Sequence, residues 1–154
     1  MTDVQRRNRE VLDAVRVRRD SLYDAVLELE GVLATPAGDD PGAWAAAVTR
    51  AVIGLQAVLA RHVAETEGDG GFFEEVRDQA PQLLSKVERL EAEHGLLVQS
   101  TASLATRLTA VTNDADVDEV REAALDLIQR LLRHRHRGAE LVYDAYAIDI
   151  SAAD

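Results

Sequence analysis

Four long stretches of this chain repeat apolar residues at spacings of three and four, and short runs rich in glycine, proline and aspartate separate them. That spacing lays the apolar residues along one stripe of an α-helix. Four such stripes can be buried together only against one another. The pattern therefore predicts an all-α fold, an antiparallel up-down-up-down four-helix bundle in which residues 1–154 form a single domain.

The first stripe is Leu12, Val15, Arg19, Leu22, Val26, Leu29 and Leu33. It predicts a helix over about residues 4–34, and Arg19 is the one break in it. ATPAGDDPG reads as a loop. Asp40 before Pro41 is a good helix start, because the carboxylate can cap and the proline lacks an N–H that would be unpaired there. The second helix is expected from Pro41 to about Glu67, with a seam of Val48, Val52, Leu55, Leu59, His62 and Thr66. Gly68-Asp69-Gly70-Gly71 ends it. A short helical piece over 72–80 follows, and Pro81 opens the third helix, which runs to about Thr109. Its seam is Val87, Leu90, His94, Leu97, Thr101, Leu104 and Leu108. Asp114 or Asp116 is the expected cap of the fourth helix, running to about residue 148. Its seam is Val120, Ala124, Leu127, Leu131, His134, Gly138, Leu141, Ala145 and Ile148, and the SAAD tail is expected to be frayed.

The halves repeat. Moving the first helix by 75 residues sets Leu12 on Val87, Arg19 on His94 and Leu33 on Leu108; moving the second by 72 sets Val48 on Val120 and His62 on His134. This predicts two helical hairpins, about 4–67 and 82–148. Each of Arg19, His62, His94 and His134 lies fourteen positions from a seam residue beside a loop, or about 21 Å along its helix. All four are therefore expected in one layer. Buried polar groups cost several kcal/mol without partners. Such a layer needs a metal ion, a water cluster, a ligand or mutual hydrogen bonds.

Composition narrows the field. Hydrophobic residues make up 47% of the chain and aromatics only 4%, which favours helices rich in Leu, Val and Ala. The net charge of −11 disfavours nucleic acid and anionic lipid as partners. With no cysteine, disulfides, thiolate zinc sites and cysteine-ligated clusters are excluded, while His and carboxylate sites stay open. The start MTDVQRRNRE lacks an apolar signal core, and no run of about 18 uninterrupted apolar residues indicates a membrane span. A cytoplasmic location is the expectation.

ARHVAETE in the second helix, LEAEHGLLVQSTASL in the third and LLRHRHRGAELVYDAYAIDI in the fourth make the chain resemble the hemerythrin-like, or HHE cation-binding, family over roughly residues 10–150. The resemblance implies a four-helix bundle around a non-haem di-iron centre and a role in oxygen, iron or redox chemistry. Carried over by position, it assigns His62, His94 and His134 as ligands. The first-helix position falls on Arg19, or on Asp20 if the register slips by one. The carboxylate positions fall on Thr66 and on Gly138 and Ala139, so both bridging carboxylates are missing. Neutral imidazoles supply no compensating charge. Rescue ligands lie close by: Glu65 and Glu67 flank Thr66, Glu140 shares a helix face with His136, and Asp20 could serve on the first helix. The implied cofactor is iron, as a di-iron or mononuclear site.

Arg19 supports a different account. Its fixed charge could replace that of a lost metal and pair with Glu65 or Glu67, or the guanidinium and histidines could form a pocket for a small molecule or acidic ligand. Glu91 and His94 have the E-x-x-H spacing of ferritin-like bundles, but a single copy reads as a solvated face residue. Arg130, Arg133 and Arg137 share one helix face, suited to an acidic partner or phosphate, or to pairing with the Glu-rich third helix. Tyr23 and Tyr143 are placed near the pocket, and Gly138 marks a distortion or a close helix approach. Whether a reaction is catalysed depends on an open coordination position that a sequence does not reveal.

Overall fold

The computed structural model describes residues 2–152, except for the side chains of residues 15–20 and 148–152. Arg19, Asp20, Val15 and Ile148 therefore lie outside the described side chains. The elements are α1 (Asp3–Ala34), α2 (Pro41–Glu67), α3 (Phe72–Gln79), a 3-10 turn (Pro81–Leu83), α4 (Leu84–Leu108) and α5 (Asp114–Ala152). Among the described residues the fold is all-α, with no strand.

The helix ends follow from local chemistry. Thr2 and Gln5 form a reciprocal capping box on α1. Asp40 accepts from the Ala43 N–H at 2.9 Å, and Pro41 follows it in the first turn. For α5 the cap is neither Asp114 nor Asp116. The Asn113 side chain accepts from the Asp116 N–H at 2.9 Å, and Asp116 in turn accepts from the Thr112 N–H. An amide one residue upstream does the work expected of a carboxylate. At the other end α5 extends through Ser151 and Ala152, which the sequence reading left frayed. The carbonyls ending α1 are satisfied from outside: Trp44 donates to the Thr35 carbonyl, and Arg121 donates to those of Leu33 and Thr35. The Arg121 guanidinium also lies 5.1 Å over the Trp44 ring.

The long helices form a helical bundle: α2 packs on α1 and α4, α4 on α5, and α5 returns to α1, while α3 wedges against α2 and α4. Every seam residue of α4 is buried. So are Val48, Val52, Leu55, Leu59 and Thr66 of α2, with His62 half-buried, and Val120, Ala124, Leu127, Leu131, His134 and Leu141 of α5. On α1, Leu22, Val26, Leu29 and Leu33 are buried but Leu12 is exposed. Among the described residues, neither apolar cluster includes a residue from the first turns of α1. A fully buried Leu of this kind contributes about 1.5–3 kcal/mol.

The interior has two apolar clusters. The larger joins α1, α2, α4 and α5 around Leu29, Leu55 and Leu127. The smaller joins Phe72, Phe73 and Val76 of α3 to Val87 and Leu90 of α4 and Leu141 of α5. Along α4, His94 falls between Leu90 of the smaller cluster and Leu97 of the larger. Along α5, His134 falls between Leu131 and Leu141 in the same way. The stretch Pro41–Gln79 contains a window of mean hydropathy 1.5, long and apolar enough to cross a membrane by composition, which the sequence reading did not anticipate. Val48, Val52, Leu55 and Leu59 spend that apolarity on the bundle core.

Candidate metal centre

His62 on α2, His94 on α4 and His134 on α5 meet at the boundary between the two clusters. Their ligand-capable nitrogens all lie within 4.8 Å of one another. The ring centroids are 5.0 Å apart for His62 and His94, 5.5 Å for His62 and His134, and 4.7 Å for His94 and His134. His94 and His134 are buried, at 1% and 3% exposure. The expected layer forms for the three imidazoles. The place of Arg19 in it lies outside the described residues.

Hydrogen bonds fix the tautomers. The His134 Nδ1 lies 2.7 Å from Glu93 Oε2. An ionised carboxylate only accepts, so Nδ1 carries the proton and Nε2 holds a lone pair. The His62 Nε2 lies 3.3 Å from that atom and donates to it. Glu93 also accepts from Arg137 on α5, and Arg89 lies 3.7 Å away. The His94 Nδ1 lies 3.4 Å from Glu67 Oε1, an ion-pair separation without hydrogen-bond alignment, and the buried His94 Nε2 has no hydrogen-bond partner among the described residues. Phe73 stacks on the His94 ring at 5.5 Å and 17°.

The electrostatics keep the two buried rings, His94 and His134, neutral. Burial, reinforced by His134 and His62, lowers the His94 pKa to about 3. Burial also lowers that of His134, Arg137 adds to the effect, and the bond to Glu93 opposes it. Burial raises the Glu67 carboxyl, as does the Glu91 charge, while Arg77 pulls it down. Neutral imidazoles present lone pairs, which is the state a metal ion requires. Two imidazole nitrogens on one tetrahedral ion, each at about 2.0–2.1 Å, stand about 3.3–3.4 Å apart. The 3.3 Å between His62 and His134 matches that span. These three histidines form a cluster able to hold a metal ion.

A cavity of about 40 Å³ adjoins the cluster, with His62, Thr66, His134, Arg135 and Gly138 in its wall beside Phe73. One water needs roughly 10–15 Å³ by this measure, so the space suits a ligand of two or three atoms. Arg135 lies 4.7 Å over the ring of Tyr23.

The other expected site residues are dispersed. Glu67 reaches His94 but touches it on the Nδ1 side. Glu65 is half-buried. The Thr66 hydroxyl donates to the His62 carbonyl at 2.8 Å, closing its own helical turn. His136 and Glu140 pair with each other at 3.2 Å on the solvent side, 75% and 58% exposed, so this rescue pair is not in the cluster. Tyr143 is exposed instead of lying at the pocket, and Tyr23 is exposed beneath Arg135. Glu91 is not merely solvated: it is half-buried and accepts from Arg77 of α3. Gly138 lines the cavity, but a Cβ there would meet nothing within 4 Å, so no close helix approach requires the glycine.

Glu93, Phe73, Arg135 and Arg137 were missed as site residues. Glu93 lies one position before a seam histidine, and its role depends on reach across the α4–α5 interface. The sequence signal for Arg137 was its place in the arginine run opposite a Glu-rich helix. Comparisons with protein families, with curated proteins and with solved structures find no match to this chain.

Proposed function

We propose that this chain is a hemerythrin-like metal-binding protein in which His62, His94 and His134 hold one divalent first-row transition ion. The observation that carries this reading is Glu93 behind His134. A carboxylate accepting from the outer N–H of a histidine fixes the ring and raises its basicity toward a metal. Glu67 stands 3.4 Å from the Nδ1 of His94, on the corresponding side, without a hydrogen bond. The resemblance favours iron, and the 3.3 Å nitrogen separation suits a tetrahedral ion such as zinc equally well. A mononuclear centre fits better than a di-iron pair, since among the described residues the cluster contains no carboxylate placed to bridge. This reading includes the topology: α1, α2, α4 and α5 as four up-down-up-down staves derived from a doubled hairpin, with α3 inserted between the halves.

When bound, such an ion supplies Lewis acidity at a position the three histidines leave open. The chain's own part is to hold the rings neutral, exclude bulk water with Phe72, Phe73 and Leu90, and limit access to small ligands through the cavity. The second reading is a metal-free small-molecule-binding or interaction module. It is favoured by the His62–His134 contact, which satisfies both nitrogens without an ion. There a guanidinium takes over the metal's charge, a role expected of Arg19 and one that suits Arg135 in the cavity wall.

Elemental analysis and an absorption spectrum of protein freshly purified from metal-replete expression separate the two. Stoichiometric iron or zinc, lost on His62→Ala and His134→Ala, is the expected result. Absence of iron, manganese and zinc defeats the metal reading.

A further inference from the structure

A second site adjoins the histidine cluster on the outer side of His134. Arg130, Arg133 and Arg137 recur at spacings of three and four on α5, and with Glu93, Leu96 and His134 they line a groove of about 250 Å³. Three guanidinium groups against one carboxylate leave this lining at +2, with His134 held neutral, in a chain whose net charge is −11. Local charge of sign opposite to the whole molecule concentrates anions where the rest of the surface repels them. Two of the arginines are incompletely satisfied. Arg130 pairs with Asp126 through one terminal nitrogen at 3.1 Å, while its buried Nε has no protein partner. Arg133 is exposed and makes no ion pair among the described residues. Arg137 is held by Glu93, which acts as an internal anion in the groove.

We infer that this groove binds a small phosphate dianion, free or as a simple monoester. Planar guanidinium forks match the geometry of phosphate oxygens and donate charge-assisted bonds to them. The volume falls below the range typical of drug-sized ligands, and exposed Leu96 at the rim leaves room for a small ester group. An incoming phosphate competes with Glu93 for Arg137. Glu93 therefore opposes binding, whereas a purely structural Glu93 would support the groove. The site does not depend on a metal in the histidine cluster.

The test is titration calorimetry at low ionic strength, in chelator, with inorganic phosphate and methyl phosphate as probes and chloride as control. Expected is one site that prefers phosphate to chloride, weakened at least about tenfold by Arg133→Gln and in the same direction by Arg130→Gln. Glu93→Gln is expected to tighten it several-fold, with helix content by circular dichroism unchanged in each variant. Tighter binding of inorganic phosphate supports the free ion as ligand, and tighter binding of the ester an esterified one. Binding no stronger than that of chloride overturns the site. So does indifference to Arg133→Gln, or weaker binding in Glu93→Gln.

Discussion

Replacing His94 with leucine should make the metal-free protein more stable. His94 is 1% exposed, its Nε2 has no hydrogen-bond partner among the described residues, and its Nδ1 is poorly aligned with Glu67. A buried polar group left in that state costs about 1–3 kcal/mol. Against this stands the stacking on Phe73 at 5.5 Å, worth about 0.5–1.5 kcal/mol. Leucine keeps the apolar contact with both clusters and carries no nitrogen, so a net gain of about 1 kcal/mol is expected. Urea unfolding followed by circular dichroism, in chelator at pH 7.5, measures it. With a slope of about 1–3 kcal/mol/M, the midpoint should rise by roughly 0.3–1 M at constant slope. The variant also changes the acid limb. His94 titrates near 6.5 in the unfolded chain and near 3 in the folded one. Its contribution is therefore complete above pH 6.5 and is lost as pH falls toward 3, because only the unfolded chain takes up the proton. The loss approaches about 1.4 kcal/mol per pH unit, or roughly 2 kcal/mol between pH 6.5 and 5. In His94→Leu that part of the slope disappears, while the part from the lowered His134 remains. A fall in the midpoint at pH 7.5, or an acid limb identical to that of the parent, would refute the claim that this imidazole is buried, neutral and poorly satisfied.

Other substitutions probe other parts of the fold. Glu93→Gln should lower zinc or iron(II) affinity by about 10–100-fold, measured by competition with a chromogenic chelator; an unchanged affinity removes Glu93 from the metal reading. Gly138→Ala should raise the urea midpoint by the equivalent of about 1 kcal/mol, since the added methyl meets nothing within 4 Å in a helix interior. Gly71→Ala should do the opposite, by at least about 1 kcal/mol, because its Cβ would stand 2.7–2.8 Å from the carbonyl oxygens of Glu65, Thr66 and Gly68. Asn113→Ala should cost about 1 kcal/mol through loss of the α5 cap, while Asp114→Ala should cost far less; the reverse order would restore the cap to Asp114.

The parts of the fold legible in the sequence were those that depend on spacing along one helix. The seams of α2, α4 and α5 are periodic, so their burial and the shared depth of His62, His94 and His134 could be read without coordinates. The parts that depend on reach between helices could not. Glu93 is off the seam, and nothing in its spacing says that it turns toward α5 to meet His134 and Arg137. Phe72 and Phe73 sit in a helix too short for periodicity to speak, yet Phe73 covers His94. His136 and Glu140 were an attractive pair because they share a face, but residues one turn apart can share the solvent face as readily as the inner one. Asn113 was passed over because Asp114 and Asp116, equally good capping residues, lie just after it.

The imidazole layer divides the interior into unequal compartments, and among the described residues the smaller one, roofed by α3 and the 3-10 turn, contains none from α1 or α2. Its few contacts can be broken without disturbing the larger compartment, so amide protons of α3 and the adjoining end of α5 should exchange with solvent through a partial opening far more often than those around Leu55. Whatever reaches the histidines therefore has a route that spares the rest of the molecule, and the same local opening limits how long a guest stays.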